Sequence, residues 1–212
     1  MKGAWDRPAE RAARLLAGLV LFGLAMAVLV KADLGLDPWN VFQQGVAEQT
    51  GLTLGQVTVI VSLLLLALWV PLGQRPGLGT IANALIVGPV LDVGIAILPA
   101  PGGLAAQVAY MVAAIAGTAV ATGLYVGAGW GPGPRDGLMT GLAARGIPLA
   151  RARAGVELTA LAAGWLLGGS VGVATVLFAT SIGPLVAAAL RRLSIRERCG
   201  EPHLRTPSRR AA

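Results

Sequence analysis

The sequence predicts an all-α polytopic membrane protein: six transmembrane helices built as two inverted three-helix repeats. Three observations predict it. The composition is apolar and poor in charge, hydrophobic segments recur with short breaks between them, and the chain repeats itself with an odd number of segments per copy. Of the 212 residues, 55% are hydrophobic types and 13% are charged, and the mean hydropathy is +0.72. A soluble domain carries about 25% charged residues, so the composition argues against a soluble enzyme. Disorder needs low hydrophobicity and high charge, which this chain lacks.

The six segments run over 15–30, 57–72, 78–98, 104–126, 154–167 and 171–190. A span takes about 20 apolar residues, so the second and fifth are short, yet too apolar for loops. An amphipathic soluble helix would show a polar stripe at helical period; residues 59–72 show only Ser62. Such all-round apolar helices belong in a membrane or a deep core. The first segment follows a basic stretch (Lys2, Arg7, Arg11, Arg14) and contains small residues at 25–27, as a signal peptide would. Five further segments favour an uncleaved first helix.

The basic side chains set the orientation. Lys2, Arg7, Arg11 and Arg14 precede the first segment, Arg75 lies in the second loop, and Arg135, Arg145, Arg151 and Arg153 lie in the fourth. Arg191, Arg192, Arg196, Arg198, Arg205, Arg209 and Arg210 follow the last segment; Lys31 alone falls on the other side. Lys and Arg collect in cytoplasmic loops, so both termini are expected in the cytoplasm of a bacterial plasma-membrane protein. That distribution accounts for the net charge of +7 without nucleic acid. The lipid bilayer is the expected surrounding, and anionic head groups the expected neighbours of the tail. The five tryptophans (Trp5, Trp39, Trp69, Trp130, Trp165) lie near segment ends or in loops, as an aromatic belt requires.

The repeat is read from glycine and proline. Gly35-Leu-Asp-Pro-Trp-Asn matches Gly131-Pro-Gly-Pro-Arg-Asp, and Gly45 matches Gly141. After a one-residue gap, Gly51 matches Gly146, Gly77 and Thr80 match Gly172 and Thr175, and Gly88-Pro89 matches Gly183-Pro184. Three segments per copy invert the second copy in the membrane, as in many secondary transporters. The chain then divides into a cytoplasmic segment (1–14), a first repeat (15–98), a second repeat (99–193) and a basic cytoplasmic tail (194–212) expected to be disordered. Helix breaks are expected at Gly35, Pro38, Gly88, Pro89, Gly131, Pro134, Gly183 and Pro184. The stretches 38–50 and 134–145 are too short to span. A surface-lying helix and a re-entrant half-helix both fit; Gln43, Gln44 and Glu48 favour the surface for the first.

The run 32–41 (Ala-Asp-Leu-Gly-Leu-Asp-Pro-Trp-Asn-Val), then Gly45, 50–55 (Thr-Gly-Leu-Thr-Leu-Gly) and 71–80 (Pro-Leu-Gly-Gln-Arg-Pro-Gly-Leu-Gly-Thr), resembles the YczE/YyaS/YitT group of bacterial integral membrane proteins, the YczE-like branch most. The resemblance covers about 15–190. It implies a multi-pass plasma-membrane protein whose molecular activity is not established. A link of some members to secondary-metabolite production is an association and implies no mechanism.

Ionisable groups at membrane depth are costly and are functional candidates. Asp92 in the third segment is either a hydrated carboxyl near the outer interface or a coupling carboxylate. Glu157 stands four residues after Arg153, which allows a helix ion pair. Asn83 is suited to hydrogen-bond another helix. Asp37 and Asn40 stand at one Pro break, with Asp37 a natural helix cap; Arg135 and Asp136 stand at the other. Asp92 matches Ala187 and Glu157 matches Ser62 across the repeat, so symmetric coordination is not indicated. The glycines at 164, 168, 169 and 172 favour close helix contact. With one cysteine (Cys199) and one histidine (His203), no metal or redox cofactor site is expected, and no catalytic motif is present. The expectation is a permease or exporter of a small molecule, not an enzyme. The alternative is a non-transporting scaffold or regulator of a biosynthetic system with a protein partner. A homodimer is compatible with either.

Overall fold

A computed structural model describes residues 7–195, which form eight α-helices and, among the described residues, no strand. They are α1 (Pro8–Ala32), α2 (Pro38–Thr50), α3 (Leu54–Trp69), α4 (Leu78–Ile97), α5 (Leu104–Gly127), α6 (Pro134–Ala143), α7 (Leu149–Leu166) and α8 (Val173–Leu193). Six of them overlie the six hydrophobic segments. The two short ones, α2 and α6, are the stretches after the Gly/Pro breaks. The tail beyond residue 195, with Cys199 and His203, and the first six residues lie outside the described residues.

By length and apolarity α1, α4, α5 and α8 are long enough to cross a membrane. α2 with α3, bent by 113° at their junction, passes as a fifth span. This is fewer than six because α3 has only 16 residues, while α7 carries Arg151, Arg153 and Glu157 within 18.

Local chemistry explains the helix ends. Pro38 and Pro134 open α2 and α6 at positions where a missing N–H is not needed. Asp37 caps α2 by accepting from the N–H groups of Trp39 and Asn40. Thr53 and Gln56 form a reciprocal capping box at the start of α3. The C-terminal ends of α5 and α8 are met by arginines of α1. Arg11 donates to the Ala128 carbonyl and Arg14 to the Leu193 carbonyl, each at 2.7 Å. Cations suit these negative helix ends, so two arginines read as orientation signals are also structural caps.

α1 and α5 run antiparallel through the centre. Gly18 lies against Ala121 and Tyr125, and Gly117 against Ala25. α4 packs on α1 and α8 on α5. Each short helix seats on the other half of the chain: α2 on α7, α6 on α3. In the first seat Gly45 lies on Gly164, whose own missing side chain admits the backbone of Phe42. In the second, Gly137 faces the Trp69 ring, whose indole N–H donates to the Pro134 carbonyl at 2.9 Å.

Positive-φ residues recur along the backbone at fixed offsets. The left-handed residues fall into pairs 96 apart (Arg7 and Gly103, Asp33 and Gly129, Gly35 and Gly131) and then 95 apart (Gly51 and Gly146, Gly73 and Gly168). Gly79 donates to the Trp130 carbonyl at 2.8 Å, and its counterpart Ala174 donates to the Leu34 carbonyl at 2.9 Å. Thr80 and Thr175 each accept from the N-cap N–H of α4 and α8.

Three expectations are corrected. α2 does not lie on a surface: Pro38 to Val41, Gln43 and Gly45 are buried. Its glutamines face the protein, Gln43 accepting from Thr58 Oγ1 and Gln44 from the Ser170 N–H. Gly88-Pro89 and Gly183-Pro184 are not breaks, since α4 and α8 continue through them. Proline removes one backbone bond, and in α4 the adjacent Gly88 serves contact with the Gly55 backbone instead. Trp39 and Trp69 are core residues, 7% and 2% exposed, and not belt residues; Trp165, at 66%, is free to face lipid.

The two halves differ in one respect. α4 packs closely on α3, whereas α8 has no comparable contact with α7. Side chains of both, Glu157 of α7 and Ile182 of α8 among them, line one cavity at the centre of the molecule.

Candidate functional site

At that centre the N-terminal ends of α2 and α6 meet. Asp37, the cap of α2, faces Arg135 in the first turn of α6, with Oδ1 3.4 Å from Nη1. Asp37 is 5% exposed at its side chain and Arg135 24%. Asp37 Oδ2 also accepts from the Asn40 amide. The Arg135 guanidinium lies 5.8 Å from the ring centroids of both Phe22 and Trp39, within cation–π range. On the α6 side, Asp136 Oδ2 accepts from the Gly133 N–H at 3.2 Å. Each short helix therefore has its positive end occupied by a carboxylate of its own break.

Beside the pair is a cavity of about 130 Å³. α5 lines it with Thr118, Thr122 and Tyr125, α4 with Asn83, and α8 with Phe178 and Ile182. α7 contributes Arg153 and Glu157, paired at 3.0 Å as their spacing predicted. Tyr125 stands edge-on to Phe22, with centroids 5.8 Å apart. Three carboxylates (Asp37, Asp136, Glu157) face two guanidinium groups (Arg135, Arg153) around the cavity. Asp136 has no cation within ion-pair distance among the described residues. Two buried polar atoms also lack a hydrogen-bond partner: the Trp39 indole N–H and Asn40 Oδ1.

Asp37, Asn83, Arg135, Asp136 and Glu157 thus share one cavity wall, with Asn40 directly behind Asp37. Asp92 stands apart. Its carboxylate accepts from Thr53 Oγ1 at 2.5 Å and from the Gly55 N–H at 2.8 Å, tying α4 to the start of α3. Sequence reasoning missed Phe22, Thr118, Thr122, Tyr125 and the site role of Trp39. Tyr125 offered a signal, being one of only two tyrosines in the chain and set in an apolar run; the threonines offered none. Elsewhere an apolar groove of about 750 Å³ separates α3 from α7, with Phe42, Val46, Leu64, Leu138 and Val156 among its walls.

An all-helical fold with long apolar helices wrapped around a partly buried charged pair is that of an integral membrane protein. The chain belongs to the family of unknown function DUF6198, whose pattern matches residues 9–191. It is similar to an uncharacterized protein of Haemophilus influenzae, 36% identical over 86% of this chain and 84% of the relative. It is also similar to the uncharacterized membrane protein YczE of Bacillus subtilis, 33% identical over 82% of each chain. No solved structure matches.

Proposed function

We propose that the protein is a small-molecule permease or exporter, and not an enzyme. Its six spans (α1, α3, α4, α5, α7, α8) form two inverted repeats, with α2 and α6 as re-entrant half-helices and both termini in the cytoplasm. The observation that carries this reading is the meeting of α2 and α6 at the Asp37–Arg135 pair beside a cavity of mixed polar and apolar lining. Half-helix ends at mid-membrane, between inverted repeats, form the substrate sites of many secondary transporters. Non-helical backbone at such depth is tolerated where protein or a cavity covers it, and Gly35, Leu36 and Asp37 of one break and Gly133 of the other are buried. The antiparallel α1–α5 pair and the paired backbone register support the inversion.

The contrast between the closed α3–α4 pair and the parted α7–α8 pair supports a state open on one side. In alternating access the symmetric counterpart would close α7 on α8 and part α3 from α4. The reading is tested by reconstituting purified protein in liposomes and following counterflow across a panel of metabolites. Ligand-dependent flux that disappears in Asp37→Asn is expected; folded, monodisperse protein with no flux would contradict it. The apolar groove between α3 and α7 favours a second reading, a scaffold or regulator that docks a partner helix. Co-purification of one membrane partner, lost on Leu64→Arg in the groove, would favour that reading.

A further inference from the structure

We infer that the cavity beside Asp136 binds a small protonated amine carrying a hydrogen-bond acceptor a few bonds away. This rests on the transport reading for its purpose, but not for the binding itself.

Charge comes first. A helix N-terminus ordinarily attracts anions. Here that capacity is already used. Asp37 takes the first two available N–H groups of α2, and Asp136 takes the Gly133 N–H ahead of α6. The cations are used as well, Arg135 by Asp37 and Arg153 by Glu157. Three carboxylates share these two guanidinium groups, so one formal negative charge is left over around the cavity, and Asp136 is the carboxylate there without a close ion pair. Its second oxygen is available to a donor, in a wall that also holds Tyr125 and Asn83 close to Gly133. A half-buried carboxylate without a close ion pair is costly, and a ligand ammonium would supply that contact.

The unpaired atoms say more about the ligand. Of the two unpaired atoms, only the one on Trp39 belongs to a residue of the cavity wall: its indole N–H, on a side chain 7% exposed, needs an acceptor. An ammonium supplies donors, and a hydroxyl, amide or ether oxygen supplies the acceptor. The Trp39 and Phe22 rings already hold one cation, the Arg135 guanidinium, within 5.8 Å of both centroids, so the neighbourhood suits positive charge. Volume sets the upper size. About 130 Å³ is well below the roughly 300–1,000 Å³ of drug-sized pockets, which leaves room for a small amine only.

The test is titration of the detergent-purified full chain with methylammonium, 2-aminoethanol and glycinamide. Sodium ion and acetate serve as controls, and binding is read by calorimetry and thermal shift. At least one amine should bind, 2-aminoethanol or glycinamide more tightly than methylammonium, and acetate should not. Asp136→Asn keeps an oxygen for the Gly133 N–H while removing the charge, and should weaken amine binding about tenfold to a hundredfold. Trp39→Phe, which removes the unpaired N–H, should erase the advantage of 2-aminoethanol over methylammonium, and it keeps the test decisive if Asp136→Asn does not purify. Asp92→Asn, outside the cavity, should bind as the unaltered protein does. Binding of acetate or sodium with no amine binding would overturn the inference, and so would amine affinity unmoved by both cavity variants. Amine binding without flux in liposomes would sink the transport reading and leave this one standing. Flux of anions with no amine binding would do the reverse.

Discussion

At the scale of single residues, Asp37 holds together more of the site than any other side chain. It caps α2, anchors the Asn40 amide and pairs with Arg135. These roles separate by substitution. Asparagine is as good a cap as aspartate but leaves Arg135 without its counter-charge. Asp37→Asn should therefore cost about 1–3 kcal/mol, less than the ~3–5 kcal/mol of breaking a fully buried pair, because Arg135 keeps some exposure to the cavity. Asp37→Ala should cost about 1 kcal/mol more through the lost cap. Thermal melts of the purified variants should rank unaltered, then Asn, then Ala; equal stability of all three would refute the assigned roles. The cap was legible in the sequence, because aspartate directly before proline at a helix start has few other uses. The pairing with Arg135 was not legible, since the two residues stand 98 positions apart and nothing local to either break names its partner.

At the scale of elements, the seat of α2 on α7 shows how composition alone misplaces a helix. Gln43, Gln44 and Glu48 suggested a surface, yet both glutamines bond to the protein, Gln43 to buried Thr58 and Gln44 to the Ser170 N–H nearer the surface. Only Glu48 is exposed. A polar residue in a short helix marks water or a buried partner equally, and only tertiary contact distinguishes them. The glycine spacing at 164–172 was the better signal, because small residues let backbones approach. Gly164 should be intolerant for that reason: a Cβ there meets the Phe42 backbone, which has no flexible end to move aside. Gly164→Ala should destabilise by about 1–3 kcal/mol, the usual cost of overpacking. Gly155→Ala, on the same helix with open space around it, should be neutral or stabilising by about 0.5–1 kcal/mol through helix propensity. Melting temperatures of the two variants check this, and equal shifts would show that α2 is not seated as described. Gly88-Pro89 and Gly183-Pro184 teach the complementary lesson. A Gly-Pro pair reads as a break, but α4, packed on α3, and the more open α8 both continue through it.

At the scale of the whole molecule, the proposed duplication rests on paired glycines and prolines with a one-residue gap. The same register reappears in the left-handed residues, which pair at 96 before the gap and at 95 after it. It reappears again in the matched hydrogen bonds of Gly79 and Ala174. Trp39 and Arg135 occupy equivalent positions in the two copies and meet face to face at the centre, as residues beside a two-fold axis would. What the repeat could not foretell is where the copies differ. Asp92 ties α4 to α3, and its counterpart Ala187 can tie nothing to α7. That single replacement of a carboxylate by a methyl group is consistent with one helix pair being closed and the other parted.

The account stands on the two halves lying inverted across the membrane, and Gly51 and Gly146 test this most directly. They are equivalent residues at the exposed ends of α2 and α6. With Cys199 replaced by serine, Gly51→Cys and Gly146→Cys are each exposed to a membrane-impermeant thiol reagent in intact cells and in inverted vesicles. The account predicts labelling of residue 51 from outside only and of residue 146 from the cytoplasmic side only. Labelling of both from the same side would contradict the inversion, and with it a shared central site between two opposed half-helices.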